Sequence, residues 1–310
     1  QDYIKAKEYY EEASKFNNSD ALFMLGYLYD NELGAEKNIF KAIEFYKLSS
    51  ELNNNKAFVI LGVYYLIGNG VEKDLNKSIQ YLERASHSNY SKILLYLGLL
   101  YEVVNEFHHN FSKAKEYYEK SVQLNNLDAL LNLGKLYENG YGVKQDYIKA
   151  KEYYEISSAF NNSGAFLFLG NLYENGYGVK QSYTEALEYY IQSSELNNSD
   201  GLLKLGKLYE NGLGVKQNYF QAKYFYEKSA KYFNSVAFAY LGNLYEKGLG
   251  VKQDYLQAKK YFEQSSNLNN IYAHFHLGNL LSDNEFLDAD YPKAIEYFMK
   301  TIKTNDIYNT

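Results

Sequence analysis

The side chains that could do chemistry in this chain are its histidines, tyrosines and carboxylates, since it contains no cysteine. Without thiolates there can be no disulfide, no cysteine nucleophile and no cysteine-ligated zinc. A metal site built on histidine needs converging ligands, and neither His108-His109 nor His274-x-His276 directs both rings to one face of a helix. We therefore predict that the chain binds no metal ion and no cofactor.

Two other patterns resemble reactive motifs but lack the context that such motifs need. Gly-x-Gly occurs at Gly140–Gly142 and at equivalent positions, without the full G-x-G-x-x-G spacing or the preceding strand of a dinucleotide site. Carboxylate pairs such as Glu152 and Glu155 lie beside lysine on the predicted outer face of a helix, which is typical of solvated charge. No Ser/His/Asp arrangement stands out either, so the sequence predicts a protein that is not an enzyme.

Tyrosine is the most conspicuous residue type, at 37 of 310 residues. Most tyrosines fall on four periodic positions, where rings are expected to fill a core and hydroxyls to reach its polar rim. These positions are represented by Tyr137, Tyr147, Tyr153 and Tyr154. The tyrosines outside them are not explained by the repeat and are candidates for binding; they include Tyr27, Tyr96, Tyr141, Tyr177 and Tyr240.

The composition limits the class of partner. The chain is 46% hydrophobic and 18% aromatic, so it has ample apolar surface to bury. Its net charge of −6 argues against nucleic acid as a partner, because nucleic-acid binding requires clustered Lys and Arg. No apolar run approaches the roughly 18 residues that span a bilayer, so no membrane insertion is expected.

The elements that must position these side chains follow a 36-residue repeat. Leu-Gly pairs recur with their glycines at Gly26, Gly62, Gly98, Gly134, Gly170, Gly206, Gly242 and Gly278. Alanine keeps the same step at Ala6, Ala42, Ala114, Ala150, Ala186, Ala222, Ala258 and Ala294, with Ser78 in the one gap. A period between about 20 and 50 residues predicts a solenoid, in which each unit buries its apolar face against its neighbours.

Each repeat is predicted to be a pair of helices. The segment Asp128–Glu138 carries apolar residues at helical spacing, and Gly140 and Gly142 then permit a tight turn. A second helix follows and ends at asparagine, the non-glycine residue that best tolerates the left-handed conformation after a helix. These asparagines are Asn17, Asn53, Asn89, Asn125, Asn161, Asn197, Asn269 and Asn305.

The Leu-Gly glycine lies inside the first helix of each pair, where glycine costs about 0.5–1 kcal/mol relative to alanine. Eight such glycines would cost about 4–8 kcal/mol in total. We expect each of them to let the second helix approach closely enough to recover more than this in packing, with alanine at the facing position.

The pattern A-L-x-x-L-G-x-L-Y-x-x-G-x-G-V-x-x-D-x-x-K-A-x-x-Y-Y-x-K-S resembles the Sel-one-like repeat, a longer-looped relative of the tetratricopeptide repeat. Ala129–Ser157 and Ala165–Ser193 carry it almost intact. Tyr or Phe replaces the usual tryptophan, and the loops Asn31–Lys37, Val103–Asn110 and Asp283–Asp290 lack the double glycine. The resemblance implies an all-α, right-handed α-solenoid superhelix of about eight repeats that acts as an adaptor or scaffold.

The repeat also bears on domain organisation. Gln1–Glu11 is identical to Gln145–Glu155, which lies within a repeat, so we expect 1–310 to be a single continuous repeat domain from a longer protein. Two alternatives to a free-standing scaffold stay open: an accessory repeat region of a multidomain enzyme or signalling protein, and self-association through the apolar ends of the repeat array.

The predicted partner-binding surface is the concave groove lined by the first helices of the repeats. Two positions there flank the Leu-Gly pair at i, i+3 spacing and differ from repeat to repeat, as expected of residues that packing does not constrain. The candidates are Met24, Tyr27, Ile60, Val63, Tyr96, Leu99, Lys135, Phe168, Lys204, Lys207 and Tyr240. The first six are apolar or aromatic, which favours a protein or peptide partner. The alternative is that Met24, Ile60 and Tyr96 pack between adjacent helices.

Overall fold

The computed structural model of the chain describes residues 2–87, 90–104, 110–282 and 288–308. Within these ranges it contains seventeen α-helices and no β-strand, so the all-α prediction is confirmed. The helices are α1 (Tyr3–Ser14), α2 (Ser19–Asp30), α3 (Ile39–Glu51), α4 (Asn55–Ile67), α5 (Leu75–Ala85), α6 (Ser91–Val103), α7 (Phe111–Gln123), α8 (Asp128–Asn139), α9 (Tyr147–Ser158), α10 (Ser163–Asn175), α11 (Tyr183–Glu195), α12 (Ser199–Asn211), α13 (Tyr219–Ala230), α14 (Ser235–Lys247), α15 (Tyr255–Asn267), α16 (Ile271–Ser282) and α17 (Tyr291–Tyr308).

The helices form two compact units, Gln1–Asp146 and Tyr147–Thr310. We call the even-numbered helices A helices and the odd-numbered ones B helices, since each predicted repeat is an A helix followed by a B helix. In the first unit, the hairpins α2–α3, α4–α5 and α6–α7 follow one another, and each B helix also packs on the next A helix. The second unit has the same arrangement over α10 to α17. Each unit is therefore a solenoid of helical hairpins.

The local turn signals in the sequence are confirmed. Gly140 and Gly142 have φ values of 72° and 65°, and Gly140 ends α8 in the left-handed conformation. In the loop Asn31–Lys37, which lacks the double glycine, Glu32 and Gly34 take the same backbone conformation, with φ values of 57° and 65°. The turn therefore keeps its backbone geometry even where the first of its two glycines is replaced.

The asparagine stops are confirmed at six of the eight predicted positions, where φ lies between 56° and 61°. These six are Asn17, Asn53, Asn125, Asn161, Asn197 and Asn269. Asn89 lies outside the described residues. The prediction for Asn305 is wrong, because α17 continues through it to Tyr308.

Phe233 occupies the stop position after α13, with φ of 58° and 76% of its surface exposed. A bulky residue in the left-handed region is strained by about 1–2 kcal/mol, whereas asparagine tolerates it. We expect Phe233→Asn to raise the free energy of unfolding by about 1 kcal/mol in urea titrations. The reciprocal change Asn197→Phe should lower it by a similar amount. Equal stability of Phe233→Asn and the wild type would contradict this explanation.

Seven of the eight Leu-Gly glycines make room for a side chain from the B helix of the same hairpin: Gly26, Gly62, Gly98, Gly170, Gly206, Gly242 and Gly278. A Cβ added to Gly206 would lie 2.3 Å from the ring of Tyr226 and one added to Gly170 would lie 2.4 Å from that of Tyr190. The predicted close approach of the second helix is therefore confirmed. The side chain that packs on the glycine is in most hairpins an aromatic ring and not the alanine at the facing position. That alanine is also fully buried, as at Ala222.

A serine on the B helix, three residues after the residue that packs on the glycine, forms a hydrogen bond to the A helix. The Ser229 hydroxyl donates a hydrogen bond of 2.7 Å to the backbone carbonyl oxygen of Ser199 at the start of α12. Four other serine hydroxyls make the same bond, each to the backbone carbonyl oxygen of the residue thirty positions earlier. These serines are Ser49, Ser121, Ser193 and Ser265. Since these serines are completely buried, the bond satisfies a hydroxyl that would otherwise be costly to bury.

Candidate protein-binding surface on the A helices

The predicted groove residues all lie on A helices, and none of them is buried. They occupy α2 (Met24, Tyr27), α4 (Ile60, Val63), α6 (Tyr96, Leu99), α8 (Lys135), α10 (Phe168), α12 (Lys204, Lys207) and α14 (Tyr240). The most accessible are the two tyrosines of the first unit, Tyr27 at 41% and Tyr96 at 44%. Their role in binding a partner stays a prediction.

Two of these side chains also pack between adjacent helices. The ring of Phe168 stacks on Tyr154 of the preceding B helix, with 5.2 Å between centroids, and Tyr240 stacks on Tyr226 at 5.1 Å. Phe168 and Tyr240 therefore have a packing role, although the packing alternative was considered for Met24, Ile60 and Tyr96. His276 repeats the arrangement on Phe262 at 4.8 Å. A side chain at this A-helix position thus commonly covers the ring of the hairpin before it.

The lysines of the second unit are held by contacts with neighbouring side chains. Lys204 Nζ lies 2.7 Å from a carboxylate oxygen of Glu174, and Lys207 Nζ lies 4.8 Å from the centroid of the Tyr240 ring. The positive charges of both lysines therefore already have partners within the chain.

Most of the rings that cover the glycines are tyrosines paired with a carboxylate from the A helix of the same hairpin. The hydroxyl of Tyr46 donates to Asp30, that of Tyr190 to Glu174 and that of Tyr226 to Glu210. Burial, together with the adjacent carboxylate, raises the pKa of Tyr46, Tyr190 and Tyr226 well above its usual value. Each hydroxyl therefore keeps its proton and remains a donor.

The hairpin α4–α5 departs from this rule at both positions. Leu82 replaces the ring that packs on the glycine, and Leu66 replaces the acidic residue sixteen positions earlier. In the sequence, α4–α5 is the only hairpin in which both of these positions carry an apolar residue. The departure can be seen in the sequence, but its consequence depends on the neighbouring helix.

An apolar cleft of about 420 Å³ opens at this hairpin, between α4 and α6. Its lining includes Val59, Ile60, Val63, Leu82, Ile93 and Tyr96. Ile60, Val63 and Tyr96 are predicted groove residues that the structure brings together. Met24, Tyr27 and Leu99 are not part of this lining. Val59, Leu82 and Ile93 were missed by the sequence analysis, which considered only the two positions beside each Leu-Gly pair.

The only charged side chains among those that line the cleft, in the part of the chain that the structure describes, are Lys56 and Lys92. Both are exposed and both are the second residue of their helix, α4 and α6. The equivalent residue is acidic in α2, α8 and α12, at Asp20, Asp128 and Asp200. The cleft therefore has an apolar floor and a locally positive rim.

The structure also shows the surroundings of two other tyrosines and one histidine that the sequence analysis singled out. Tyr141 stacks on Phe111 at 4.7 Å, and Tyr177 stacks on Tyr147 at 4.9 Å, so packing accounts for both. His274 is buried, which lowers the pKa of its imidazole and favours the neutral ring. His108 and His109 lie outside the described residues.

Two features are absent from the described ranges. No group of three or more His, Asp or Glu side chains in those ranges is arranged to hold a metal ion. None of the helices there combines the length and the apolar character needed to cross a bilayer.

The chain matches the family model of the Sel1 repeat nine times, over residues 1–15, 19–54, 59–90, 107–126, 127–159, 167–198, 199–231, 237–270 and 271–301. No curated protein is significantly similar to it in sequence.

Several solved structures share the fold. A Sel1 repeat protein from Oxalobacter formigenes is 22% identical with a TM-score of 0.78, over 98% of this chain and 91% of that one. A protective antigen of uropathogenic Escherichia coli strains, which displays an SLR fold, is 24% identical with a TM-score of 0.71. That match covers 96% of this chain but 64% of the antigen, so the chain spans less than two thirds of the antigen's length. An immunity protein from Pseudomonas aeruginosa is 20% identical with a TM-score of 0.52, over 69% of this chain and 80% of that one.

Proposed function

Because the chain belongs to the Sel1 repeat family, whose members are generally protein-interaction scaffolds, we propose that it is a non-enzymatic scaffold that binds a peptide segment of a partner protein on its A helices. The observation that carries the proposal is the apolar cleft between α4 and α6, together with the exposed tyrosines of the same unit. An accessible apolar patch framed by polar residues usually marks an interaction site.

The size and chemistry of the cleft suit a peptide. Its volume of about 420 Å³ is in the range of ligand pockets, which is roughly 300–1,000 Å³, and it is open to solvent along the A helices. Tyrosine is a favoured anchor at interfaces because it supplies a large, rigid contact with a polar tip. Tyr96 lines the cleft from α6, and Tyr27 lies on α2, the A helix before α4, at the second of the two groove positions.

A peptide-display selection on the immobilised chain would test the proposal. We expect the selected peptides to bind in fluorescence anisotropy titrations, and the triple variant Tyr27→Ala, Tyr96→Ala, Leu99→Ala to weaken binding about 30-fold, corresponding to about 2 kcal/mol. The thermal midpoint should change little, since these side chains are partly or largely exposed.

A matched control removes three exposed apolar side chains from B helices, Phe40→Ala, Ile148→Ala and Leu256→Ala. This variant should bind as the wild type does. Equal binding by the A-helix variant and the wild type would overturn the proposal, as would a failure to select any peptide. Sedimentation of the same samples over a range of concentrations tests the predicted self-association through the repeat ends.

A further inference from the structure

We propose that the cleft between α4 and α6 takes one bulky apolar side chain from an acidic peptide segment, with Lys56 and Lys92 binding the carboxylates on either side of it. This inference rests on the proposed function and assigns the chemistry of the partner. It depends on two independent observations, the missing ring at Leu82 and the lysine pair on the rim.

The missing ring explains why the cleft accepts an apolar side chain. At two places in the second unit, the space between a glycine-packed ring and the next A helix is closed by stacking, between Tyr226 and Tyr240 at 5.1 Å and between Phe262 and His276 at 4.8 Å. The equivalent pair in the first unit is Leu82 and Tyr96. A leucine cannot reach as far as a tyrosine ring, so the face of Tyr96 stays accessible from the cleft. A ring supplied by a partner would take the place that the chain's own ring takes elsewhere.

The polar half of the usual pair is missing as well. Where the ring is Tyr190, its hydroxyl bonds to Glu174. Leu66 replaces the acidic residue in α4, and no carboxylate is among the described residues that line the cleft. A phenylalanine or leucine anchor therefore fits this site better than a tyrosine, which would bury its hydroxyl without a partner.

The rim lysines select the charge of the segment. A lysine in the first turn of a helix is disfavoured by the helix dipole, and the equivalent residues Asp20, Asp128 and Asp200 have the favourable sign. Asp20 accepts a hydrogen bond of 3.1 Å from Asn54 and does not line the cleft. A carboxylate on the partner would thus meet two ammonium groups and two helix N-termini, while a basic segment would be repelled.

Three synthetic peptides test the chemistry: acetyl-EELFLEE-amide, its basic counterpart acetyl-KKLFLKK-amide, and acetyl-EEAAAEE-amide, which lacks any bulky apolar anchor. We expect the first to bind at least tenfold more tightly than either of the others and to weaken as salt is raised, because exposed charge pairs are screened. Equal binding of the acidic and basic peptides, or no binding of the first, would overturn the inference.

Leu82→Phe tests the cleft itself. The added ring should stack on Tyr96 over Gly62, close the cleft and weaken the acidic peptide at least tenfold, while the thermal midpoint stays the same or rises. Unchanged peptide binding by this variant would contradict the inference. The paired variant Lys56→Gln, Lys92→Gln should reduce the preference for the acidic over the basic peptide about tenfold and flatten its salt dependence. Lys216→Gln, Lys231→Gln is the charge-matched control in the second unit and should change neither.

The two proposals fail in different ways. If the peptides selected by display lack acidic residues and still bind Leu82→Phe, the inference is wrong while the scaffold function stands. If the A-helix triple variant binds every selected peptide as the wild type does, the proposed function itself is wrong.

Discussion

Gly206→Ala should destabilise the second unit by about 3 kcal/mol, although alanine is the better helix former by about 0.5–1 kcal/mol. The added Cβ would lie 2.3 Å from the ring of Tyr226, which real contacts do not allow. The ring is completely buried and has no free direction in which to move, so the helices α12 and α13 must separate. Urea titration gives the size of the loss, and hydrogen exchange should place it in these two helices.

Gly164→Ala is the matched control for Gly206→Ala. Gly164 also lies in an A helix, near the start of α10, but the equivalent positions carry side chains as large as Lys56 and Tyr272. A methyl group there should be neutral or slightly stabilising, by up to about 1 kcal/mol. If both glycines tolerated alanine equally, the explanation of the Leu-Gly repeat by ring packing would be wrong.

Tyr226→Ala should cost about 3–5 kcal/mol, as expected when a fully buried aromatic side chain is truncated in a packed core. Tyr226→Phe should cost only about 1–2 kcal/mol, because it keeps the ring and removes the hydrogen bond to Glu210. Phenylalanine already occupies this position in α15, as Phe262 against Gly242.

The difference between the two Tyr226 variants separates ring packing from hydrogen bonding. Urea titrations of the full chain, read by circular dichroism, would give both values. Because stability in a repeat array is close to a sum of terms from neighbouring repeats, the loss should be confined to the hairpins next to α13. A larger loss from Tyr226→Phe than from Tyr226→Ala would contradict the account of the core.

The repeat unit could be predicted from the sequence because its signals are local. The helix predicted over Asp128–Glu138 is α8, and its residues at helical spacing, Ala129, Leu130, Leu133, Leu136 and Tyr137, are buried. The turn at Gly140 and Gly142 follows from the backbone freedom of glycine, which does not depend on distant residues. Such features recur in every hairpin, so agreement among the repeats strengthens each prediction.

The wrong prediction at Asn305 shows where local signals are insufficient. The six confirmed asparagines lie between a B helix and the A helix that packs after it. The helix α17 is the last one in the described part of the chain, and no A helix follows it there. An asparagine tolerates the left-handed conformation but does not impose it, so the residue type alone does not end the helix.

The groove positions could be placed on the A helices from the sequence, but their surroundings could not. Whether Phe168 is accessible depends on Tyr154 in the hairpin before it, and whether Tyr96 is accessible depends on Leu82. These contacts join residues fourteen positions apart through the packing of successive hairpins. The sequence does show that Leu82 and Leu66 replace a ring and a carboxylate. Only the structure shows that a cleft opens at this hairpin.

A methyl NMR titration with the acetyl-EELFLEE-amide peptide would show whether the cleft is where the peptide binds. In our account, the hairpin lacking its own ring leaves a site for one from a partner. We predict that the methyl resonances of Ile60, Val63 and Leu82 shift on addition of the peptide, while those of the exposed B-helix residues Ile148 and Leu256 do not. Shifts confined to Ile148 and Leu256, or no shift at Leu82 when the peptide is bound, would contradict it.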